Sequence, residues 1–264
     1  MSNLLPFYLY ERSVQSPRIH VEWFDRMYRE IRQKTALSLR EDFCGTFAFS
    51  YEWANSNPKR TALGLDLDKD PIRYGKETRL AKAPAQLRRR VKTLLKDVRT
   101  VTTPKVDLAI ACNFSFCIFK ERKQLTEYFR SVCKSLNDDG ILILEAAGGP
   151  GMIEPLKERK TLRKNGKPEL TYIWHQKSFD PIHRNGKYAI HFKLPNGKVI
   201  EDAFTYDWRL WTIPELREAL DEAGFSRSVI YWETEQKGVG TGEYHQTETG
   251  DNAFAWVAYI IGVK

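Results

Sequence analysis

TALSLREDFCGTF (residues 35–47) and TALGLDLD (residues 61–68) decide the fold of this chain. The first segment begins as a short apolar strand, expected over Ala36–Arg40, and ends in acids and a tight turn at Cys44-Gly45-Thr46. A helix is expected from about Phe47 to Asn55. The second segment is a strand over Thr61–Leu65 that ends at Asp66. Together they predict two parallel strands joined by a crossover helix.

The two strand ends carry the groups that a nucleoside ligand needs. At the end of the first strand, the turn around Gly45 lets backbone N–H groups face a ligand with little obstruction by side chains. At the end of the second strand, Asp66 can accept hydrogen bonds from both hydroxyls of a ribose. Asp66 follows Glu41 by 25 residues, slightly more than the about 20 typical of dinucleotide-binding units.

The string LREDFCGT (residues 39–46) resembles the first motif of a poorly characterised group of class I S-adenosylmethionine-dependent methyltransferases. The YxxSVQSP pattern of residues 10–17 and the later Asn113-Phe114-Ser115 are similar to that group as well. In the general class I pattern an acid is followed by three glycines at alternate positions. Glu41 matches the acid and Gly45 the central glycine, whereas Phe43 and Phe47 replace the outer two.

The resemblance implies a set of cofactor-binding residues. Asp97 would hold the adenine amino group at the end of the third strand, and Val98 would lie against the ring. Asn113 is expected near the cofactor, where donor and acceptor meet, and Tyr10 belongs to an aromatic N-terminal arm that could cover it. The full predicted set for S-adenosylmethionine is Tyr10, Glu41, Phe43, Gly45, Asp66, Leu67, Asp97, Val98 and Asn113.

The remaining hydrophobic pattern predicts an α/β domain with one elaboration. We expect a Rossmann-like, mostly parallel seven-stranded sheet that ends in an antiparallel C-terminal hairpin. Further strands are expected at Arg88–Leu95, Val106–Cys112, Ile141–Glu145, Arg227–Glu233 and Asn252–Gly262, and helices over His20–Gln33, Asp68–Arg79 and Glu121–Leu136. Gly140 is expected to cap the last of these helices in a left-handed conformation, and Thr212 begins another through a capping box.

Residues 170–210 depart from this alternation of strands and helices. Strands over Tyr172–Phe179, Tyr188–Leu194 and Val199–Trp208, with turn signals at Asn185-Gly186 and Asn196-Gly197, predict an antiparallel extension. The chain thus divides into an N-terminal arm and helix (1–34), a cofactor-binding core (35–150), the extension with the acceptor site (151–211) and a C-terminal helix and hairpin (212–264).

The extension also offers side chains for the acceptor. Arg209 and Trp211 of the extension, together with Phe116 from the stretch that begins at Asn113, are the candidate substrate-binding residues, with Arg209 available to pair with an acidic substrate. The histidines at 175, 183 and 191 match no ligand spacing, so no metal site is expected. The cysteines at 44, 112, 117 and 133 show no paired spacing and are expected to be free thiols.

Composition narrows the class of protein. The chain has 264 residues, 42% of them hydrophobic, and a formal net charge of +8. It has no apolar run long enough for a membrane span and no secretory pattern at residues 1–10, so a cytoplasmic enzyme is expected. The basic excess concentrates at residues 88–92 and 157–167, where solvated helix faces and loops are the ordinary explanation. It keeps open a nucleic-acid partner.

These observations predict methyl transfer from S-adenosylmethionine to an unidentified acceptor, most simply a small molecule. No residue stands out as a general base, which favours an amine or another intrinsically nucleophilic acceptor over a hydroxyl. Two alternatives remain at this point. One is an RNA or other nucleic-acid methyltransferase, favoured by the charge. The other is an NAD-binding α/β protein, which the phenylalanines at 43 and 47 keep open.

Overall fold

A computed structural model describes residues 4–236 and 239–264. Residues 1–3 of the predicted arm and residues 237–238, between two of the predicted C-terminal strands, lie outside the described residues. The helices are α1 (Leu5–Ser13), α2 (Pro17–Arg32), α3 (Ala48–Ser56), α4 (Lys69–Thr78), α5 (Ala85–Arg90), α6 (Arg122–Ser135) and α7 (Ile213–Glu222). The strands are β1 (Ser38–Asp42), β2 (Thr61–Asp66), β3 (Val91–Leu95), β4 (Val106–Ala111), β5 (Leu136–Gly148), β6 (Leu156–Lys164), β7 (Lys167–Asp180), β8 (Asn185–Lys193), β9 (Val199–Arg209), β10 (Arg227–Gln236), β11 (Val239–Gln246) and β12 (Trp256–Val263).

The main sheet has the order β11-β10-β12-β5-β4-β1-β2-β3. Strands β3, β2, β1, β4 and β5 are mutually parallel, and β12 runs antiparallel between β5 and β10. This confirms the predicted Rossmann-like architecture with its antiparallel C-terminal pair. The sheet has eight strands within the described residues instead of seven, because β11 adds an antiparallel edge strand to β10.

Helices cover both faces of this sheet. On one face, α2 and α3 contribute Phe24, Tyr28 and Trp53 to a buried cluster that includes strand residues such as Tyr259. On the other face, α6 and α7 bury Phe129 and Leu220, among others, against the alternate strand residues. Strands buried on both sides explain the near-continuous apolar runs of β4 and β5. The carboxyl ends of the parallel strands therefore meet at one edge, where ligands bind in open α/β sheets.

The extension is a four-stranded antiparallel meander, β6-β7-β8-β9. One of its faces packs against α1, with Leu9 against Leu170, Ile190 and Phe192. This confirms the antiparallel elaboration after β5 and adds β6, whose basic sequence was interpreted as solvated helix faces and loops. An edge strand tolerates exposed lysine and arginine because its outer side pairs with no neighbour.

Several predicted boundaries are wrong. β1 begins two residues later, at Ser38, and the third strand begins at Val91 because residues 85–90 form the helix α5. Gly140 lies inside β5 and is absent from the positive-φ residues, so it caps no helix. Asn185 and Gly186 begin β8, and the turn before them spans residues 181–184.

The capping box at Thr212 is confirmed. The Thr212 hydroxyl accepts from the Glu215 backbone N–H, and the Glu215 carboxylate accepts from the Thr212 backbone N–H in return. Among the described helices, none is both long and apolar enough to cross a membrane.

Candidate active site

The turn after β1 is built from left-handed residues at alternate positions. Phe43, Gly45 and Phe47 have φ values of 55°, 49° and 47°. Left-handed backbone costs a residue with a side chain about 1–2 kcal/mol, whereas glycine adopts it freely. The turn therefore has left-handed backbone at the three positions where the class I pattern has glycine, although phenylalanine stands at the two outer ones.

Packing stabilises this strained turn. Phe47 is fully buried, and its ring lies over Gly75 of α4, where an added Cβ would come within 2.5 Å of the ring. The Phe43 ring packs edge-on against Tyr128, with centroids 5.7 Å apart. Apart from its two chain neighbours, no atom of the described residues lies within 4 Å of a Cβ added to Gly45. The turn thus leaves a space beside Gly45 that a ligand can fill.

Glu41 and Asp66 both hold backbone N–H groups at this edge. Glu41 Oε2 accepts from the Ser50 N–H at 2.7 Å, which caps the first turn of α3, because Phe47 provides no side-chain cap. Asp66 Oδ2 accepts from the Gly45 N–H at 2.7 Å, and Oδ1 from the Asp68 N–H at 2.9 Å. Each carboxylate oxygen has a second lone pair that a ligand can engage.

Burial perturbs the titration of Glu41. Its side chain is almost entirely removed from solvent, and this burial raises its pKa to about 7. The hydrogen bond from Ser50 and the positive charge of Arg79 oppose the rise, while the negative charge of Asp66 adds to it. Because this pKa lies close to neutral pH, the Glu41 carboxyl readily ionises when a cationic ligand binds beside it.

A buried ion pair between Arg40 and Asp42 anchors the end of β1, next to the turn. Arg40 is fully buried, and its Nε donates to Asp42 Oδ1 at 2.7 Å. The rest of its guanidinium donates to the carbonyls of Val98 and Thr100 and to the Ser135 hydroxyl. Arg40 therefore ties β1 to the segment after β3 and to α6. Asp42 also accepts from the Tyr128 hydroxyl at 2.9 Å, although burial raises the pKa of Asp42.

The loop after β4 forms the facing side of the site. Asn113 and Phe114 are left-handed as well, with φ values of 54° and 57°. The Asn113 backbone N–H donates to Glu145 Oε2 of β5 at 2.5 Å, and burial raises the pKa of Glu145. Non-glycine residues in this conformation cluster at functional sites, where the surroundings enforce the strain.

A first cavity of about 280 Å³ opens over these strand ends. Glu41, Asp42, Asp66 and Asp68 line it, and within the described residues its lining contains no lysine or arginine. Two buried polar atoms in its wall, Gln15 Oε1 and Thr46 Oγ1, have no hydrogen-bond partner in the described part of the chain. Acidic groups, unpartnered polar atoms and the open space at Gly45 fit a polar, positively charged ligand.

A second cavity of about 300 Å³ adjoins the first. Tyr10, Asn113, Tyr206 and Trp208 line both, so they mark the junction. The second cavity lies between the two sheets, since its wall combines residues of the extension with Trp256 of β12 and Glu233 of β10. Burial raises the pKa of both Tyr10 and Tyr206, so the two phenols stay protonated at neutral pH.

Six predicted cofactor residues line the first cavity: Tyr10, Glu41, Phe43, Gly45, Asp66 and Asn113. The structure does not bring the other three to it. Leu67 is 68% exposed. Asp97 accepts several hydrogen bonds from Arg99, which lower the pKa of Asp97, and Val98 is buried in the main core.

The three predicted substrate residues are not among those that line the two cavities, and each contacts other parts of the fold. Phe116 is 1% exposed in the main core. Arg209 stacks on Trp211 at 3.7 Å and pairs with Glu215, and the Trp211 indole donates to the Phe119 carbonyl. None of the three lines either cavity.

Sequence reasoning missed several residues of the site. Gln15 stands in the YxxSVQSP pattern, but its sequence position alone does not indicate a role for its side chain. Trp208 and Glu233 were assigned to strands, and alternation alone does not show which strand face meets a neighbouring sheet. The histidines lie outside both cavities. His175 and His191 contact each other at 3.1 Å, and His183 pairs with Asp180. The described residues contain no cluster suited to a metal ion.

Comparison with solved structures identifies the fold. The chain is similar to Streptomyces venezuelae DesVI, with 17% identity, a TM-score of 0.70 and coverage of 99% of this chain and 97% of that one. It is similar to S-adenosylmethionine-bound CalS10, an amino pentose methyltransferase from Micromonospora echinaspora, at 17% identity and a TM-score of 0.67, covering 96% and 94%. It is also similar to the sugar N-methyltransferase KedS8 from Streptoalloteichus sp, at 18% identity and a TM-score of 0.65, covering 98% and 92%.

No protein-family model matches the chain, and no curated protein matches its sequence. At these identities the likenesses establish the fold, which is that of class I methyltransferases, over nearly the whole chain, extension included.

Proposed function

We propose that this protein transfers a methyl group from S-adenosylmethionine to a small-molecule acceptor. The observation that carries the proposal is the acidic first cavity, which holds Glu41 and Asp66 at adjacent strand ends and opens at Asn113 into a second cavity. The structural neighbours support it, since CalS10 is described as an amino pentose methyltransferase and KedS8 as a sugar N-methyltransferase. The LREDFCGT string supports it independently.

Each wall of the first cavity has a role in this proposal. Asp66 would accept the ribose hydroxyls, and Glu41 would hold the ammonium of the amino-acid portion. The open space at Gly45 would admit the chain between them. S-adenosylmethionine supplies an activated methyl on a sulfonium. Held in line with its acceptor, such a group reacts with a barrier lowered by up to roughly 7–11 kcal/mol through positioning alone.

The second cavity would hold the acceptor. Residues 151–211 were predicted to form the acceptor site, and the extension contributes Tyr172, Trp174, Tyr206 and Trp208 to this cavity. The size of about 300 Å³ is at the lower end of ligand pockets. A small molecule fits this volume.

The negative charge of the first cavity favours S-adenosylmethionine over a nicotinamide cofactor. A dinucleotide places its diphosphate at the N-terminus of the first crossover helix. Here the Glu41 carboxylate already accepts from the Ser50 N–H in the first turn of α3, and Asp66 lies nearby on β2. A diphosphate would meet two carboxylates without a compensating cation in the described lining. A sulfonium nucleoside, which carries positive charge, meets no such repulsion.

The same electrostatics disfavour a nucleic-acid acceptor. The basic residues at 157–167 lie on β6 and the start of β7, and residues 88–90 end α5. Within the described chain, these basic residues are absent from the walls of both cavities. The +8 charge therefore resides on surfaces other than the proposed site.

Isothermal titration calorimetry with S-adenosylhomocysteine and NAD⁺ tests the proposal. We expect the homocysteine compound to bind in the micromolar range, about −8 kcal/mol, and NAD⁺ to give no heat of binding. Mass spectrometry of small molecules that co-purify with the protein provides a second readout. Binding of NAD⁺ with no binding of S-adenosylhomocysteine would overturn the proposal.

A further inference from the structure

We infer that the second cavity selects an acceptor with an aliphatic amine, through aromatic faces and the carboxylate of Glu233. This inference rests on the proposed methyl transfer and names the acceptor class. Its basis is the composition of the cavity wall, which is rich in aromatic residues: Tyr10, Phe114, Tyr172, Trp174, Tyr206, Trp208 and Trp256.

The aromatic rings form a continuous surface. Tyr206 and Trp208 stack with centroids 4.3 Å apart and planes inclined by 29°. Trp174 continues this surface at 6.2 Å from each of them. Trp256 adds an indole from the main sheet. Tryptophan and tyrosine faces attract cations, and aromatic residues around a cavity are the side chains that proteins use to bind ammonium groups.

Glu233 gives the cavity its charge. It is the one ionisable acid or base, other than the tyrosines, that lines the second cavity within residues 4–236 and 239–264. The Gly242 N–H donates to Glu233 Oε1 at 2.8 Å and fixes the carboxylate in the wall. A negative group beside aromatic faces favours a cationic guest and disfavours carboxylate or phosphate acceptors.

The chemistry of the junction also suits an amine. The bound ammonium first loses a proton to water. The lone pair of the resulting neutral nitrogen then forms a bond to the methyl carbon, the carbon–sulfur bond breaks, and its electron pair stays on sulfur. Positive charge moves from the sulfonium to the nitrogen, and an N–H proton then leaves to water. The net charge of the site is unchanged during transfer, so the same aromatic faces stabilise the cation before and after it. The phenols of Tyr10 and Tyr206 need not act as bases.

Choline and its neutral isostere 3,3-dimethylbutan-1-ol test the inference, because they differ in charge but hardly in shape. Binding is followed by tryptophan fluorescence, with and without saturating S-adenosylhomocysteine. We expect choline to bind at least tenfold more tightly than the alcohol. In Glu233→Gln the affinity for choline should fall at least threefold, while that for the alcohol stays unchanged. Glu243→Gln is the matched control, since Glu243 is exposed on β11 and lines neither cavity.

Equal affinities for choline and the alcohol, or a Glu233→Gln variant that binds choline as the wild type does, would overturn the inference. The two proposals fail separately. Binding of S-adenosylhomocysteine without a preference for choline removes the amine site and leaves methyl transfer. A preference for choline without binding of S-adenosylhomocysteine leaves the amine site and overturns methyl transfer.

Discussion

Asp66 shows how far a single residue could be understood from sequence. Its position at the end of an apolar strand predicted a carboxylate at the carboxyl edge, and the structure places it in the first cavity. Its hydrogen bond to Gly45 was not predictable, because it depends on how the left-handed turn after β1 folds back toward β2. Likewise the sequence located Phe43 and Phe47 at glycine positions. It did not reveal that tertiary packing holds both in glycine-like backbone.

Replacing Asp66 tests the ribose contact. Asp66→Asn keeps the side-chain volume and removes the charge and one acceptor oxygen. We expect its affinity for S-adenosylhomocysteine to fall at least tenfold, about 1.4 kcal/mol, in calorimetry. Asp70→Asn is the control, since Asp70 is an exposed acid in the first turn of α4 outside both cavities. An unchanged affinity in Asp66→Asn would remove Asp66 from the site.

Glu41 predicts a pH dependence of cofactor binding. Burial raises its pKa to about 7, so the free protein largely protonates this carboxyl below that pH. An ammonium ligand binds the charged form. Affinity for S-adenosylhomocysteine should therefore rise roughly tenfold between about pH 6 and pH 8. Glu41→Gln keeps an oxygen to accept from Ser50 and should flatten the profile.

The raised pKa of Glu41 also makes the stability of the folded protein depend on pH. The folded state holds the Glu41 proton more tightly than the unfolded chain, so this group's contribution to stability is complete below about pH 4.5 and is lost as pH rises through about 7. Glu41→Gln removes that loss. The free energies of unfolding of the wild type and of Glu41→Gln, compared at both ends of this pH range, measure that loss.

A pH profile of affinity for S-adenosylhomocysteine that is the same in the wild type and in Glu41→Gln would contradict a role for this carboxylate in cofactor binding.

At the scale of elements, predictability depended on whether a segment's own sequence determines its structure. The buried parallel strands, the amphipathic α6 and the capping box of α7 were predicted because burial and capping leave a local pattern. Strands β6 and β11 were missed because edge strands need no apolar alternation, and their sequences are basic or glycine-rich. The helix α5 was missed for a related reason, since only Leu87 of its six residues is buried.

Breaking the Arg40–Asp42 pair tests how β1 is anchored. Arg40→Met leaves Asp42 buried without its cationic partner, which typically costs about 3–5 kcal/mol. We expect a loss of this size in the free energy of unfolding, measured in urea. Arg40→Met with Asp42→Asn removes the stranded charge but keeps an acceptor for Tyr128, so it should recover part of the loss. A single variant as stable as the wild type would contradict this account.

At the scale of the whole molecule, net charge and site charge have opposite signs. The chain carries +8, yet the described lining of the two cavities contains acids and no lysine or arginine. Composition alone therefore keeps open a polyanionic partner, whereas the three-dimensional structure places carboxylates in the walls of both cavities. The predicted substrate residues Arg209 and Trp211 also depend on three-dimensional placement. Arg209 stacks on Trp211 and pairs with Glu215 of α7, and neither residue lines the two cavities.

Cofactor binding should stabilise the whole chain. The first cavity joins α1, the ends of β1 and β2, the loop after β4 and the extension. S-adenosylhomocysteine at about 100 times its dissociation constant adds about 2.7 kcal/mol by mass action, which corresponds to a Tm increase of roughly 5–10 °C for a domain of this size. Differential scanning fluorimetry measures it, with NAD⁺ as the ligand expected to cause no shift. No shift at saturation by S-adenosylhomocysteine would contradict binding at this site.

The most direct measurement is a crystal structure of the protein with S-adenosylhomocysteine. The account predicts that the ribose hydroxyls lie within hydrogen-bond distance of Asp66, the amino group lies at Glu41, and the sulfur faces the junction at Asn113. A ligand bound elsewhere, or bound in the first cavity without contact to either carboxylate, would contradict it.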